Sequence, residues 1–169
     1  MKYLFKILLI LKLSITYAFG DVINDVQIKN NNRITKETII TFGGIELGKD
    51  YSQDELNNIL IDLYNTNFFS DIQFKVQGDI LIVSVEERKI VQQILLNGIK
   101  AEKTKKQILK NLSLREKSPY VEFLAKQDIK KIGNSLNSSG YYFNKVDVTI
   151  KDNKNDTVDL IYNIDLGEK

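Results

Sequence analysis

Polar and apolar residues alternate from Val22, where Val22, Val26 and Ile28 fall on one side of an expected strand that gives out at Asn30-Asn31-Asn32. Thr35 is then placed as the N-cap of a short helix carrying Ile39 and Ile40 and ended by Gly43-Gly44. A second start signal follows. In Ser52-Gln53-Asp54-Glu55 the serine can accept from the Glu55 amide while the Glu55 carboxylate reaches back, a capping box. Behind it Leu56, Ile59, Leu60, Leu63 and Tyr64 recur at helical spacing, which predicts an amphipathic helix of about three turns. Asn65-Thr66-Asn67 reads as its stop, because asparagine tolerates the left-handed conformation that closes a helix. The period then changes to two. Ile72, Phe74 and Val76 oppose Gln73, Lys75 and Gln77, Gly78-Asp79 supplies a hairpin, and Leu81, Val83 and Val85 return on the buried side.

The order strand, helix, helix, strand, strand then recurs. Ile94 and Leu96 predict a strand ending at Asn97-Gly98, and Thr104 is placed as the cap of a helix bearing Ile108, Leu109 and Leu112. Ser118-Pro119 predicts an N-cap with proline at the first helical position, ahead of a stripe of Val121, Ala125, Ile129, Ile132 and Leu136. LYNTNFFSDIQFKV set beside LNSSGYYFNKVDVTI puts Leu63 on Leu136, Asn67 on Gly140 and Phe68-Phe69 on Tyr141-Tyr142. With one residue inserted, Ile72, Phe74 and Val76 meet Val146, Val148 and Ile150. A corner repeated in this way predicts that both aromatic pairs plug the open end of a core between helix and sheet.

The first twenty residues have another character. Lys2 and Lys6 precede an apolar run from Ile7 to Leu13, and Ala18-Phe19-Gly20 places small residues where a signal peptidase cuts, so residues 1–20 are expected to be a cleaved secretory signal. The run is too short to span a bilayer. Removal of residues 1–20 takes away Lys2, Lys6 and Lys12, the last of which interrupts the run, leaving 21 Lys+Arg against 22 Asp+Glu, a net charge of −1 that argues against nucleic acid as a partner. Neither cysteine nor histidine occurs in the 169 residues. Disulfides, Ser-His-Asp triads, cysteine nucleophiles and thiolate or imidazole metal sites are therefore excluded within the chain.

The remaining chemistry is thin. Gly43-Gly44-Ile45-Glu46-Leu47-Gly48-Lys49-Asp50 approaches a phosphate-binding loop, but Asp50 replaces the hydroxyl and would repel phosphate, so the stretch is expected to be a loop between helices. Glu86-Glu87 and Asp54-Glu55 are paired acids of a kind that could serve a hydrolase. Adjacent strand residues point to opposite faces, however, and Glu55 is used by its cap. Lys100, Lys103, Lys105, Lys106 and Lys110 predict a solvated helix face, with acidic lipid headgroups or partners as the alternative.

Tyr51, Ser52 and Leu56, then Leu63, Tyr64, Thr66, Phe68, Phe69, Asp71 and Ile72, and finally Val85, Glu87 and Arg88, together resemble the polypeptide-transport-associated (POTRA) domain. The opening VQIKNNNRITKETI is similar to the start of the BamA family of outer-membrane protein assembly factors. Lys89 stands where that family often has proline, and Asn67 where it often has glycine.

The resemblance implies an α+β fold of two tandem POTRA-like β-α-α-β-β domains, residues 21–88 and 89–169, each a three-stranded mixed sheet with two helices on one face. They would be joined by the short Glu86–Lys89 segment. It implies a non-catalytic periplasmic scaffold with no cofactor or metal, on an N-terminal fragment of a longer protein continuing through further domains into an outer-membrane barrel. Its partners would be unfolded outer-membrane protein precursors and accessory lipoproteins. The expected peptide-binding edges are the rim strands, Ile72, Gln73, Phe74, Lys75, Val76 and Gln77 in the first copy and Val146, Asp147, Val148, Thr149, Ile150 and Lys151 in the second. Against that role, Lys75 and Lys151 are residues that discourage strand addition. The same domain type occurs in secretion transporters and in a cell-division scaffold, and a carboxylate hydrolase using Glu86, Glu87 or Asp71 is the rival from another class.

Overall fold

The computed structural model describes residues 22–168, so the expected signal segment lies outside the described residues. Two three-stranded sheets each enclose their own core. In the first unit β2 (Asp25–Lys29), α1 (Lys36–Gly43), α2 (Gln53–Asn65), β4 (Phe69–Gln77) and β5 (Ile80–Glu87) follow in order. In the second, β6 (Ile90–Asn97), α3 (Glu102–Asn111), α4 (Glu122–Ser138), β7 (Lys145–Asp152) and β8 (Thr157–Asp165) repeat it. The strand orders are β2-β5-β4 and β6-β8-β7; in each of these sheets the first and last strands in sequence are parallel and the second is antiparallel to the last. The parallel pair needs a crossover, which the two helices supply.

The first unit closes on Val26, Ile39, Ile59, Leu63, Phe69, Ile72, Leu81, Val83 and Val85, and the second on Val91, Ile108, Leu112, Ala125, Ile132, Leu136, Val158, Leu160 and Tyr162. Local chemistry explains most boundaries. Thr35 accepts from the Thr38 amide at 3.3 Å, and Gly44 closes α1 at φ 59°. Both arms of the Ser52–Glu55 box form, at 3.2 and 2.9 Å. Asn67 (φ 61°) and Gly140 (φ 88°) are both left-handed.

Four expectations fail. Val22 is exposed and Ile23 is buried instead, because the strand is interrupted at Asn24; the stub β1 (Val22–Ile23) turns aside to pair with β3 (Lys49–Asp50). Thr104 is not a cap, since α3 starts two residues earlier after Ala101, which makes no side-chain cap bond. Ser118 and Pro119 do not open α4. The backbone of Lys117 and Ser118 bonds to that of Val91, the Tyr120 amide donates to the Lys89 carbonyl at 2.7 Å, and Pro119 bridges Ile90, so tertiary pairing holds this stretch extended until Val121. The aromatic corner also repeats only in part. Phe69 is fully buried, contributing about 2 kcal/mol, and Phe68 stacks on Phe42 at 5.7 Å, whereas Tyr142 and Phe143 are exposed and Tyr141 alone packs on the second core.

The difference at this corner is one of register. In the first unit a bulge at Ser70 lets Phe69 and Ile72, three apart, share the core face. In the second, β7 does not begin until Lys145, and the inserted residue carries Tyr142 and Phe143 outward on a turn held by Asn144, whose side-chain Nδ2 donates to the Tyr141 carbonyl and to Asn137 Oδ1.

Gly98 is fixed by close approach. At φ 92°, a Cβ there would lie 1.8 Å from the Ile164 carbonyl oxygen, whereas one at Gly44 would meet nothing. Gly98→Ala is therefore expected to cost about 3 kcal/mol or more and Gly44→Ala about 1 kcal/mol, as measured by urea unfolding.

Candidate peptide-binding edges

Each rim strand pairs on one side. β4 pairs with β5 and β7 with β8, and among the described strands nothing pairs with their other edges. The expected site residues fall on these two strands. Ile72 is buried, Phe74 half-buried and Val76 exposed, with Gln73, Lys75 and Gln77 in solvent on the opposite face. In the second unit Val146 and Val148 are half-buried, and Ile150, Asp147, Thr149 and Lys151 are exposed. Register keeps the copies equivalent: Ile72 faces Val85 as Val146 faces Ile164, and Val76 faces Leu81 as Ile150 faces Leu160. The junction ends of the two rims, Ser70, Asp71 and Gln73 from β4 and Ile150 and Asp152 from β7, line one open cleft of about 720 Å³.

The first rim is partly closed. The Ile72 amide donates to the Tyr64 hydroxyl at 3.0 Å, and that hydroxyl lies 3.4 Å from Asp71 Oδ1. An amide bonded there points away from β5. Strand alternation then turns Phe74 and Val76 outward as well, so their amides and carbonyls are the backbone groups left to an incoming strand. Sequence reasoning missed this cap; Tyr64, one residue past the core residue Leu63 on α2, was the available signal.

Two buried carboxylates fix the frame; sequence reasoning weighed Glu87 as one of an acid pair and gave Asp128 no role. Glu87, at the end of β5, accepts from the amides of Asn32, Arg33 and Ile34 at 2.8–3.1 Å and from Arg33 Nε at 3.0 Å. Burial works against its charge, but the amides of Ile34, Asn32 and Arg33 and the guanidinium outweigh it and hold the carboxyl below the usual range. Arg33 also donates to the Arg88 carbonyl, tying the start of the inter-unit segment to the β2–α1 loop. Asp128, fully buried on α4, accepts from the amides of Ser113 and Leu114 at 2.6 and 3.0 Å, with Tyr162 OH at 3.4 Å. Burial and the Asp128 charge raise the Tyr162 hydroxyl's pKa. An acid at position 128, three residues after Ala125 and four before Ile132, was the sequence signal for this anchor. Asp71 and Glu86 face each other across β4 and β5 on the exposed side of the sheet, and Glu87, on the other face, is saturated by donors. Among the described residues no cluster could hold a metal ion, and no helix is long and apolar enough to cross a membrane.

Residues 89–167 match the POTRA family model, described as surface antigen variable number repeat. The outer membrane protein assembly factor BamA of Neorickettsia risticii (strain Illinois) is 27% identical over 85 residues, half of this chain but 12% of that protein's length. The N-terminal domain of Omp85 from Thermosynechococcus elongatus has the same fold (TM-score 0.56, 14% identity), with 83% of this chain and 61% of that one covered. POTRA1-3 of the periplasmic domain of Omp85 from Anabaena follows at TM-score 0.50 and 13% identity, covering 83% and 60%. The molecule thus has the α+β fold of these Omp85 domains, and its second unit matches the POTRA model. Residues 89–167 are a POTRA domain, in a chain related in sequence to BamA.

Two outcomes are expected. Glu87→Gln should lose about 1–2 kcal/mol at pH 7. Because the folded-state carboxyl titrates below its unfolded value, its stabilisation is present above about pH 4.5 and disappears as the pH falls through the folded value. The difference between wild type and variant should therefore shrink at pH 3, as read from urea midpoints. Tyr64→Phe should cost about 1 kcal/mol and accelerate hydrogen exchange at the Ile72 amide while leaving the β4–β5 ladder protected.

Proposed function

We propose that this chain is a non-catalytic periplasmic scaffold of outer-membrane protein assembly, which receives unfolded precursors as added strands on its two rims. The observation that carries this is the outward-facing backbone of Phe74 and Val76, unpaired beside a capped Ile72 amide, in a fold shared with Omp85 POTRA domains. Backbone pairing reads no particular sequence, so the same rim serves many clients. Each hydrogen bond contributes about 0.5–1.5 kcal/mol, and ordering a flexible chain offsets much of the sum. Binding is consequently weak and reversible, as a precursor that must be released requires. Accessory lipoproteins dock elsewhere on the same units.

The boundary between the two domains falls within Glu86–Lys89. Arg88 donates from its amide to the Phe68 carbonyl at 2.8 Å, Lys89 Nζ pairs with Asp152 at 2.8 Å, and the segment is too short for a flexible tether. Residues 1–20 act as the export signal. The 27% identity over 85 residues to a BamA supports the assembly role.

NMR titration with extended peptides from a barrel protein tests the reading. Shifts should concentrate on residues 72–77 and 146–151, and no binding at about 1 mM peptide would refute it. Val76→Pro removes an outward amide without touching the β4–β5 ladder, so it should weaken binding at the first rim several-fold and leave the fold intact.

A further inference from the structure

We propose that the outer surface of the α3–α4 helix layer docks on an anionic bilayer. Residues 102–138 hold nine Lys/Arg against four Asp/Glu, a net +5, while the equivalent layer of the first unit, residues 36–65, holds two against six, a net −4. The two layers share one architecture, so folding does not require the positive sign. Nor is the excess neutralised internally: Lys105 pairs with Glu102, Lys126 with Glu122 and Lys131 with Asp128, but Lys103, Lys106, Lys110 and Lys130 have no anionic partner among the described residues.

Their spacing concentrates them. Lys103, Lys106 and Lys110 stand at i, i+3 and i+7 on α3, and Phe123, Lys126 and Lys130 repeat that spacing on α4. α3 and α4 run antiparallel: Ala101 and Thr104 meet Leu136 and Tyr141 at one end, and Ser113 meets Asp128 at the other. The α3 stripe therefore lies beside the second half of α4, and the α4 stripe continues past the end of α3, both exposed. Phe123, 66% exposed, and the partly exposed Leu109 sit among them.

Eight of the nine cations are lysines, compact point charges suited to a diffuse field of headgroups rather than to the directional, bidentate recognition that arginine gives. Apolar side chains within a lysine-rich helix face are the composition of an interfacial surface. The acidic first unit is repelled by the same membrane, so the charge asymmetry also orients the pair, with residues 22–88 held away from the surface. This docking does not depend on strand addition, and its readout is separate from shifts at the rims.

Both cores lie wholly within residues 22–168, so the chain from Asp21 onward is the species to test. It should co-sediment with phosphatidylcholine vesicles containing about 30% phosphatidylglycerol and not with pure phosphatidylcholine, and the binding should fall steeply between about 50 and 500 mM salt. K103Q/K106Q/K110Q should lower the partition coefficient about 100-fold, roughly fivefold per lysine, with an unchanged urea midpoint; K29Q/K36Q in the first unit should leave it unaltered. Absence of vesicle binding, equal binding to neutral vesicles, or full binding by the triple variant overturns the proposal. Self-association in sedimentation velocity that the triple variant abolishes, without vesicle binding, would assign the surface to a second copy and overturn it equally.

Discussion

The parallel pairing of the first strand of each unit with its last organises everything else. β2 lies along β5 and β6 along β8 with the intervening chain folded back across one face, so the last strand becomes central. A parallel partner cannot be reached by a tight turn, which obliges the two helices to cross over and cover the core. The remaining strand, joined to the centre by a hairpin, has one neighbour among the described strands, as the first strand does. An open edge is thus a by-product of topology, present in both copies regardless of the side chains on them.

The two units secure this arrangement by different means. In the first, Glu87 gathers the amides of residues 32–34 and binds the loop after the first strand to the end of the last. In the second, Asp128 binds the loop between the helices from α4, and Leu166 packs on the core beyond β8. Each carboxylate is shielded from water and surrounded by amide donors, so each contributes through hydrogen bonds to an ionised acceptor. The copies have diverged in which loop they tie down while keeping the same strand order.

Elements set by short-range chemistry were legible in the sequence: the Ser52 box, the Thr35 cap, the left-handed stops at Asn67 and Gly140, and the hairpin at Gly78-Asp79. Their determinants lie within a few residues of one another. Ser118-Pro119 has the local grammar of a helix start, yet distant backbone on β6 claims it, and propensity cannot register that competition. Asp128 looked like one more polar residue on a helix until the Ser113–Leu114 loop folded over it. The exposure of Tyr142 follows from a single inserted residue, which an aligned pair of corners records without saying which way the chain bends. The opposed charges of the two helix layers were hidden by adding them together: a net of −1 over residues 21–169 conceals one acidic layer and one basic layer.

The Tyr64 hydroxyl on the Ile72 amide works as an end-stop. With the hairpin at Gly78 bounding the other side, β4 offers a window only a few residues long. Under the strand addition proposed above, a visiting segment is measured against that window and turns away at both margins. A rim so bounded would host a short stretch of a long chain without templating an endless sheet, which separates a transit surface from the seed of an aggregate.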